Sequence, residues 1–342
     1  MPDTVALRHP RAEALARLLG LVAFALAVFA AVLLVFGKDP LRAYLDVLAA
    51  TLGSAYGLSE TIVKMIPLVL TALAVAIPGR IWLINVGGEG QLFIGALAAT
   101  GAALHLAFLP GWLLPVVMAA AGVLGGGLWA AASGVLHARG WVSETISTLL
   151  LNYVAVLLVN FAVFGPWRDP EGVNYPQTAE LVPAAILPAL GTTRVHLGLV
   201  FALAALVLWA LVMRRTRWGL EVRAIGGNAE AARRAGIPIG RYVVALMFLG
   251  GGMAGLAGMA EVSAIQGRLR PSLSPGYGYS GFLIAWMARG HPVGIVAAAF
   301  GLAVITAGGD ILQMTQALPG SVVNILMAVM LFVVLGREGA RR

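Results

Sequence analysis

The chain has 342 residues, of which 60% are hydrophobic and 11% charged, with a mean hydropathy of +0.91. That balance excludes an ordinary soluble protein and indicates a polytopic membrane protein. The net charge of +8 does not read as a nucleic-acid surface, because the basic residues stand at the ends of apolar runs rather than along a groove interleaved with aromatics; the absence of cysteine removes disulfides and thiolate chemistry.

In chain order, Arg8, Arg11 and Arg17 precede an apolar run at 18–36. The run outlasts a cleavable signal-peptide core of about 7–15 residues and reads as a retained span. Further runs of about spanning length lie at 59–78, 81–104, 112–136, 142–164, 196–213, 242–262, 292–309 and 319–336. A shorter apolar segment, 277–288, counts as a tenth crossing, and to span it must begin further back, near Ser272. The reason for counting it is parity: Arg337, Arg341 and Arg342 make the C-terminus as basic as the N-terminus, and an even number of crossings returns both to the inside. The fold class expected is therefore an all-α polytopic membrane protein with about ten transmembrane segments and both termini cytoplasmic. Broken or re-entrant helices are expected near 84–91 and 272–292.

This topology places Arg80, Arg139, Arg289 and the arginine-rich loop after Met213 inside, and leaves the minority of basic residues outside. Trp112 and Trp167 fall near outer ends, and Trp141 and Trp218 near inner ends, as an interfacial belt requires. Two outer segments are substantial. Residues 37–58 have mixed polarity and suit an interfacial helix, whereas 165–195 carries Pro166, Pro170, Pro176, Pro183 and Pro188 and is either a partner-facing loop or a surface connection.

Polar residues inside the apolar runs mark two places. In INVGGEGQ, residues 84–91, Asn85, Glu89 and Gln91 cluster with Gly87, Gly88 and Gly90. Polar groups are costly in hydrocarbon and glycines weaken helices, so the segment is either irregular backbone lining a water-filled path or a site of close helix packing. In WVSETISTLLLNYVAVLLVN, residues 141–160, Glu144, Thr148 and Asn152 share one helical face that could line a pore or bond neighbouring helices. Glu261 ends the seventh run, Asp310 falls between the last two, and Asn324 is a weaker pore candidate.

The segment 214–241 carries Arg214, Arg215, Arg217, Arg223, Arg233, Arg234 and Arg241 against two acids, Glu221 and Glu230. Within it Asn228 is placed as an N-cap, Glu230 in the first turn, Arg233 and Arg234 in the last, Gly236 at the left-handed C′ position and Pro238 beyond it. These signals specify a helix over 229–235, too short to stand alone in water. It must be held by the protein's own loops or by a second protein; the alternative is an ordinary solvated inner loop.

Enzymatic readings find little support. GYSG, residues 278–281, matches an intramembrane serine protease pattern, but the only later histidine, His291, lies in a predicted loop. No GxxxxGK[ST] phosphate loop or HExxH site occurs.

The segments INVGGEGQLFIGA, VSETISTLLLNY, GLEVRAIGGNAEAARRAGI, GGGMAGLAGMAEV and QGRLRPSLSPGYGYSGFLIAWMARGHP, in that order, resemble permease subunits of bacterial ABC importers. The resemblance covers about residues 62–335 and is narrower to the nucleoside and simple-sugar group of the ribose and branched-chain amino acid permease superfamily. It implies a single transmembrane permease domain over 1–342 in the cytoplasmic (inner) membrane, with a cytoplasmic coupling loop at 214–241 and an external loop at 165–195. The implied partners are ATP-binding subunits that hydrolyse ATP, a second and non-identical permease, and an extracytoplasmic solute-binding protein. This chain itself would bind no cofactor.

The resemblance assigns Gly219, Glu221, Arg223, Gly226, Asn228, Ala231, Ala232 and Gly236 to ATPase coupling. Asn85, Glu89, Gln91 and Asn152 become the candidates for the path of a small polar solute. One departure from the family pattern, the triplet Gly250, Gly251 and Gly252, leaves local helix packing open. The competing expectation is an ion-coupled secondary transporter in which Glu89, Glu144 or Asp310 titrates.

Overall fold

In a hydrocarbon environment every backbone N–H and C=O must find a partner within the protein. Among the described residues the chain meets this demand with helices and without strands. The computed structural model describes residues 10–316 apart from 173–174, together with residues 318 and 325. Apart from Ile325, the expected span at 319–336 lies outside the described residues, as do Arg8, Arg337, Arg341 and Arg342; the pore candidate Asn324 falls in that undescribed span.

The helices are α1 (Pro10–Val35), α2 (Pro40–Leu52), α3 (Ala55–Ala76), α4 (Gly88–His105), α5 (Leu114–Ala138), α6 (Glu144–Phe164), α7 (Gly198–Arg215), α8 (Arg217–Gly227), α9 (Ala229–Arg234), α10 (Ile239–Ala260), α11 (Tyr277–Met287) and α12 (Pro292–Gln316). A 3-10 turn, Pro78–Ile81, follows α3, and a π-helical turn, Glu261–Gln266, extends α10. Six stretches among the described residues are long and apolar enough to cross a membrane: Ala55–Ile81, Leu114–Ala138, Glu144–Phe164, Gly198–Arg215, Ile239–Gln266 and Pro292–Gln316.

The structure gives finer bounds to three of these segments. The run at 81–104 is helical only from Gly88, where α4 starts: the chain turns at Trp82 and has no regular structure through Val86, in the region where a broken helix is expected. The short segment does not begin near Ser272 as helix, because α11 starts at Tyr277 after the left-handed Gly276. At about 1.5 Å per residue its 11 residues reach roughly half the hydrocarbon thickness. Asp310 lies within α12 rather than between two spans, since that helix continues to Gln316.

The chain divides into two compact units. In the first, which contains α1, α2 and the last part of α12, Phe29, Leu33, Ala43, Leu312 and Leu318 form an apolar core with Tyr44 and Val47 packed on it. The Tyr44 hydroxyl donates to the Leu26 carbonyl (2.6 Å), and Gln316 Nε2 donates to Asp46 Oδ2 (3.1 Å). Helix α2, in the segment expected to be interfacial, starts where Asp39 accepts from the Leu41 N–H (2.9 Å) ahead of Pro40 at the first helical position.

The second unit, Ser59–Ala303, is built on α4, α5 and α10, with α3 also largely buried, whereas α7 is mostly exposed. An apolar helix without protein around it is suited to lipid contact. Small residues draw the central helices together. A Cβ added to Gly255 of α10 would run into the Gly122 carbonyl of α5, and one on Gly95 of α4 would strike the Gly255 backbone. The glycine triplet belongs to the same design: Gly250 lies against the Ala74 carbonyl, Gly251 against Ala130 and the Gly126 carbonyl, and Gly252 against Val123. The departure from the family pattern is thus a line of close backbone contact between α10 and both α3 and α5.

Several connecting segments of this unit bond to one another. Residues 165–195 pack on the chain that follows α10. The Thr178 N–H donates to Leu269 O (3.1 Å), the Leu269 N–H to Thr178 Oγ1 (3.0 Å), and the Leu181 N–H to Gly267 O (2.8 Å). Arg268 pairs with Glu180 (2.9 Å) and lies 3.9 Å from Asp169, while Arg194 pairs with Glu60 (3.0 Å). His196, pushed down by burial to a pKa of about 4, is neutral near pH 7, and its Nδ1 accepts from the Gly198 N–H (3.2 Å) at the start of α7.

Gly255→Leu should cost on the order of 1–3 kcal/mol through overpacking of the α4, α5 and α10 contact. Gly301→Ala, whose added Cβ meets nothing within 4 Å, should be neutral or stabilising because alanine favours helix. Thermal unfolding of the two variants in detergent, followed by fluorescence-detected size exclusion, checks the contrast.

Candidate functional site

The interruption between α3 and α4 leaves backbone groups without helical partners in the buried part of the second unit. Side chains from two directions supply them. Asn85 Nδ2 donates to the Ala74 carbonyl (2.9 Å) of α3, and Asn85 Oδ1 accepts from the Gly87 N–H (3.0 Å). Asn85 and Gln91 bond to each other through both amide ends, at 3.0 and 2.8 Å. From α6, Asn152 Oδ1 accepts from the Gly90 N–H (2.8 Å) and Nδ2 donates to the Val86 carbonyl (2.9 Å). Thr148 Oγ1 accepts from the Val86 N–H (3.3 Å), and Glu144 Oε1 accepts from the Ile84 N–H (3.1 Å). The face carrying Glu144, Thr148 and Asn152 is therefore a polar strip that α6 turns toward the interruption.

Glu144 is also held from behind by His137 of α5, whose Nδ1 lies 2.7 Å from Oε2. Glu89 works at a second helix. Its Oε2 accepts from the Gly278 N–H (2.7 Å) in the first turn of α11, while the Ser274 hydroxyl accepts from the Gly276 (3.1 Å) and Tyr277 (3.0 Å) N–H groups beside it. A carboxylate at this position complements the dipole of α11 and takes up free N–H groups. The approach is close enough that a Cβ on Gly278 would collide with the Glu89 backbone. The four candidates for the solute path are all buried, at 0% exposure for Asn85, 6% for Glu89, 1% for Gln91 and 2% for Asn152. The structure brings them into one region, where each bonds backbone or another member of the set.

The arginine-rich segment contains two helices where the sequence signals specified one. Helix α8 starts at the N-cap Thr216, whose hydroxyl accepts from the Gly219 N–H (3.0 Å). That cap was available in the sequence, but the glycines at 219, 226 and 227 obscured the helix behind it. Helix α9 follows the caps as read: Asn228 Oδ1 accepts from the Ala231 N–H (3.0 Å), Arg234 reaches back to Glu230 (3.2 Å), and Gly236 takes a φ of 83°.

The coupling candidates fall into two groups. Gly219 packs against Met213, Glu221 accepts from the Tyr242 hydroxyl of α10, Arg223 donates to the Met213 carbonyl, Gly226 lies against the Arg80 carbonyl, and Ala232 is buried. These fix α8 and α9 to the body of the unit. Asn228, Ala231 and Gly236, with Glu230, Arg233 and Arg234, are exposed. Sequence reasoning missed two residues that reach this segment: Trp82, whose Nε1 donates to the Gly226 carbonyl (2.7 Å), and Arg80. Neither position had a spacing signal.

A capped helix pair with one exposed face stands beside a unit whose interrupted helix is braced by polar side chains. Residues 57–335 match the family described as the branched-chain amino acid transport system / permease component. The chain belongs to that family. It is a transport component rather than an enzyme, and a multi-pass protein of the inner membrane.

This permease is 37% identical to a glucose ABC transporter permease of Haloferax volcanii, over 93% of the chain and 86% of the relative. It is 31% identical to a guanosine ABC transporter permease of Bacillus subtilis, over 96% of the chain and 93% of the relative. A nucleoside ABC transporter permease of Lactococcus lactis subsp. cremoris is 28% identical, over 91% of the chain and 88% of that protein.

Asn152→Ala in this permease strips partners from the Gly90 N–H and the Val86 carbonyl. At about 1–3 kcal/mol for each orphaned buried group, the variant should lose a substantial part of its stability. Its yield of monodisperse protein and its unfolding midpoint should both fall well below those of Asn160→Ala on the same helix.

Proposed function

We propose that this permease carries nucleosides, or a simple sugar, inward by alternating access, in a complex whose separate ATP-binding subunits hydrolyse ATP. Family membership and near full-length similarity to permeases named for guanosine, nucleosides and glucose support the substrate class. Those solutes share neutral, hydroxyl-rich ring chemistry. In this reading an external solute-binding protein delivers the solute, a second, non-identical permease completes the path, and about ten spans place both termini in the cytoplasm.

The observation that carries the coupling role is the geometry of α8 and α9: one group of residues ties the pair to the second unit, and a short capped helix presents an exposed surface on the other side. A helix of six residues gains little from its own hydrogen bonds and is suited to a partner that completes its surroundings. The exposed Asn228, Ala231 and Gly236 would meet the ATP-binding subunit, and Gly219, Glu221, Arg223, Gly226 and Ala232 would hold the helices that receive its motion. The four buried polar candidates near the interruption would shape the solute path chiefly by fixing its backbone.

An ion-driven carrier would need a carboxylate free to exchange protons or cations during transport. Glu89 is engaged by the start of α11 and Glu144 by His137 and the Ile84 N–H, which favours the ATP-driven reading.

Proteoliposomes decide between these mechanisms. Uptake should require added ATP-binding subunits and the solute-binding protein, and should persist when ion gradients are collapsed. Gly236→Val places a β-branched residue at a φ of 83°, and Asn228→Pro removes the α9 cap. Each should lower solute-stimulated ATP hydrolysis and uptake by about tenfold or more, since helix caps and backbone strain each contribute on the order of 1–2 kcal/mol. Unchanged activity in either would remove the coupling role. Uptake competition among guanosine, other nucleosides, ribose and glucose identifies the solute, and no competition by any of them would remove the substrate class.

A further inference from the structure

We propose that the turn at 78–82 transmits motion between the α8 and α9 pair and the interrupted start of α4, with Arg80 and Trp82 as positioning residues. The inference rests on the coupling role proposed for α8 and α9.

Three directions meet at this turn. Covalently it joins the end of α3 to the non-helical residues 83–87 that precede α4. On one side, Trp82 Nε1 donates to the Gly226 carbonyl in the last turn of α8 (2.7 Å), and Gly226 is pressed so closely on the Arg80 carbonyl that no side chain fits between them. On another, Arg80 Nη2 donates to the Gly290 carbonyl (2.8 Å) in the connection from α11 to α12. Glu89 and Asn85 then carry the connection onward, the first to the N-terminus of α11 and the second to α3. A displacement of α8 relative to α4 must therefore move this turn or break the bonds that hold it.

Local energetics set the turn apart from a passive anchor. Trp82 has a left-handed φ of 65° although it is not glycine, a conformation that persists only when surroundings impose it. Its ring is 80% exposed while its N–H is bonded, so an aromatic surface stands free beside α8. Among the described residues, Arg80 Nε is buried without a hydrogen-bond partner. A left-handed tryptophan and an unpaired buried donor within five residues describe a junction held under strain by its neighbours.

The test separates transmission from assembly. Trp82→Phe keeps an aromatic ring and removes the indole donor; Arg80→Gln removes the charge, and Arg80→Lys restores it. Each variant is reconstituted as the full complex with its ATP-binding subunits and solute-binding protein, and uptake and ATP hydrolysis are measured separately. We expect Trp82→Phe and Arg80→Gln to co-purify with the wild-type amount of ATP-binding subunit and to retain hydrolysis. Solute moved per ATP should fall by about threefold or more, the scale of a modest coupling energy, with partial recovery in Arg80→Lys.

A wild-type ratio of solute to ATP in assembled Trp82→Phe and Arg80→Gln complexes overturns the role of the turn while leaving the α9 contact intact. Loss of co-purification in both overturns it as well, because the residues would then serve assembly. Normal hydrolysis and uptake in Gly236→Val would instead remove the coupling role of α8 and α9, and this inference with it.

Discussion

The second unit depends on one constraint: a helix interrupted inside an apolar protein leaves N–H and C=O groups that no water is available to satisfy. The chain stops being helical after the turn at Pro78–Ile81 and resumes at Gly88. The side chains that hydrogen-bond the backbone of that gap and the Gly90 N–H come from Asn85 within the gap and from Glu144, Thr148 and Asn152 on one face of α6. Position of α6 against α4 is thus set by amide and hydroxyl geometry, a more directional force than the packing of apolar surfaces. His137 extends the brace to α5 through Glu144.

Around this directional centre the protein uses backbone proximity. Without a strong hydrophobic force between helices in lipid, close contact and dispersion must hold them, and small residues bring that about. The crossing of α4, α5 and α10 at Gly95, Gly122, Gly126 and Gly255 is such a contact, and the glycine triplet at 250–252 continues it toward α3 and α5. Rigid packing here and strain at the 78–82 turn are complementary. A lever needs a body that does not deform, and the proposed path of motion runs along the edge of that body rather than through its core.

The helices themselves were largely legible because length and hydropathy are local properties. The caps of α9 were also local: Asn228, Gly236 and Pro238 act on the residues beside them, and the short helix forms where they place it. Helix α8 escaped notice because its glycines lower helix propensity, while its stability comes from Tyr242, Met213 and the 78–82 turn, all supplied by other parts of the chain. The exact start of α4 was not legible for a related reason. Ile81, Trp82, Leu83 and Ile84 are apolar, and hydropathy cannot register that Trp82 takes a left-handed turn.

For the polar candidates, sequence alone determined that Asn85, Glu89, Gln91 and Asn152 sit in apolar surroundings, where any polar group needs a reason. It left open whether that reason is a wet path or a dry contact, because composition is the same in both. Only the tertiary structure decided which groups meet: Asn85 with Gln91, Asn152 with Gly90 and Val86, and Glu89 with an α11 residue far along the chain. Periodicity and capping are written within a few residues of where they act. A hydrogen bond between distant segments exists only once the fold has fixed the distance between them.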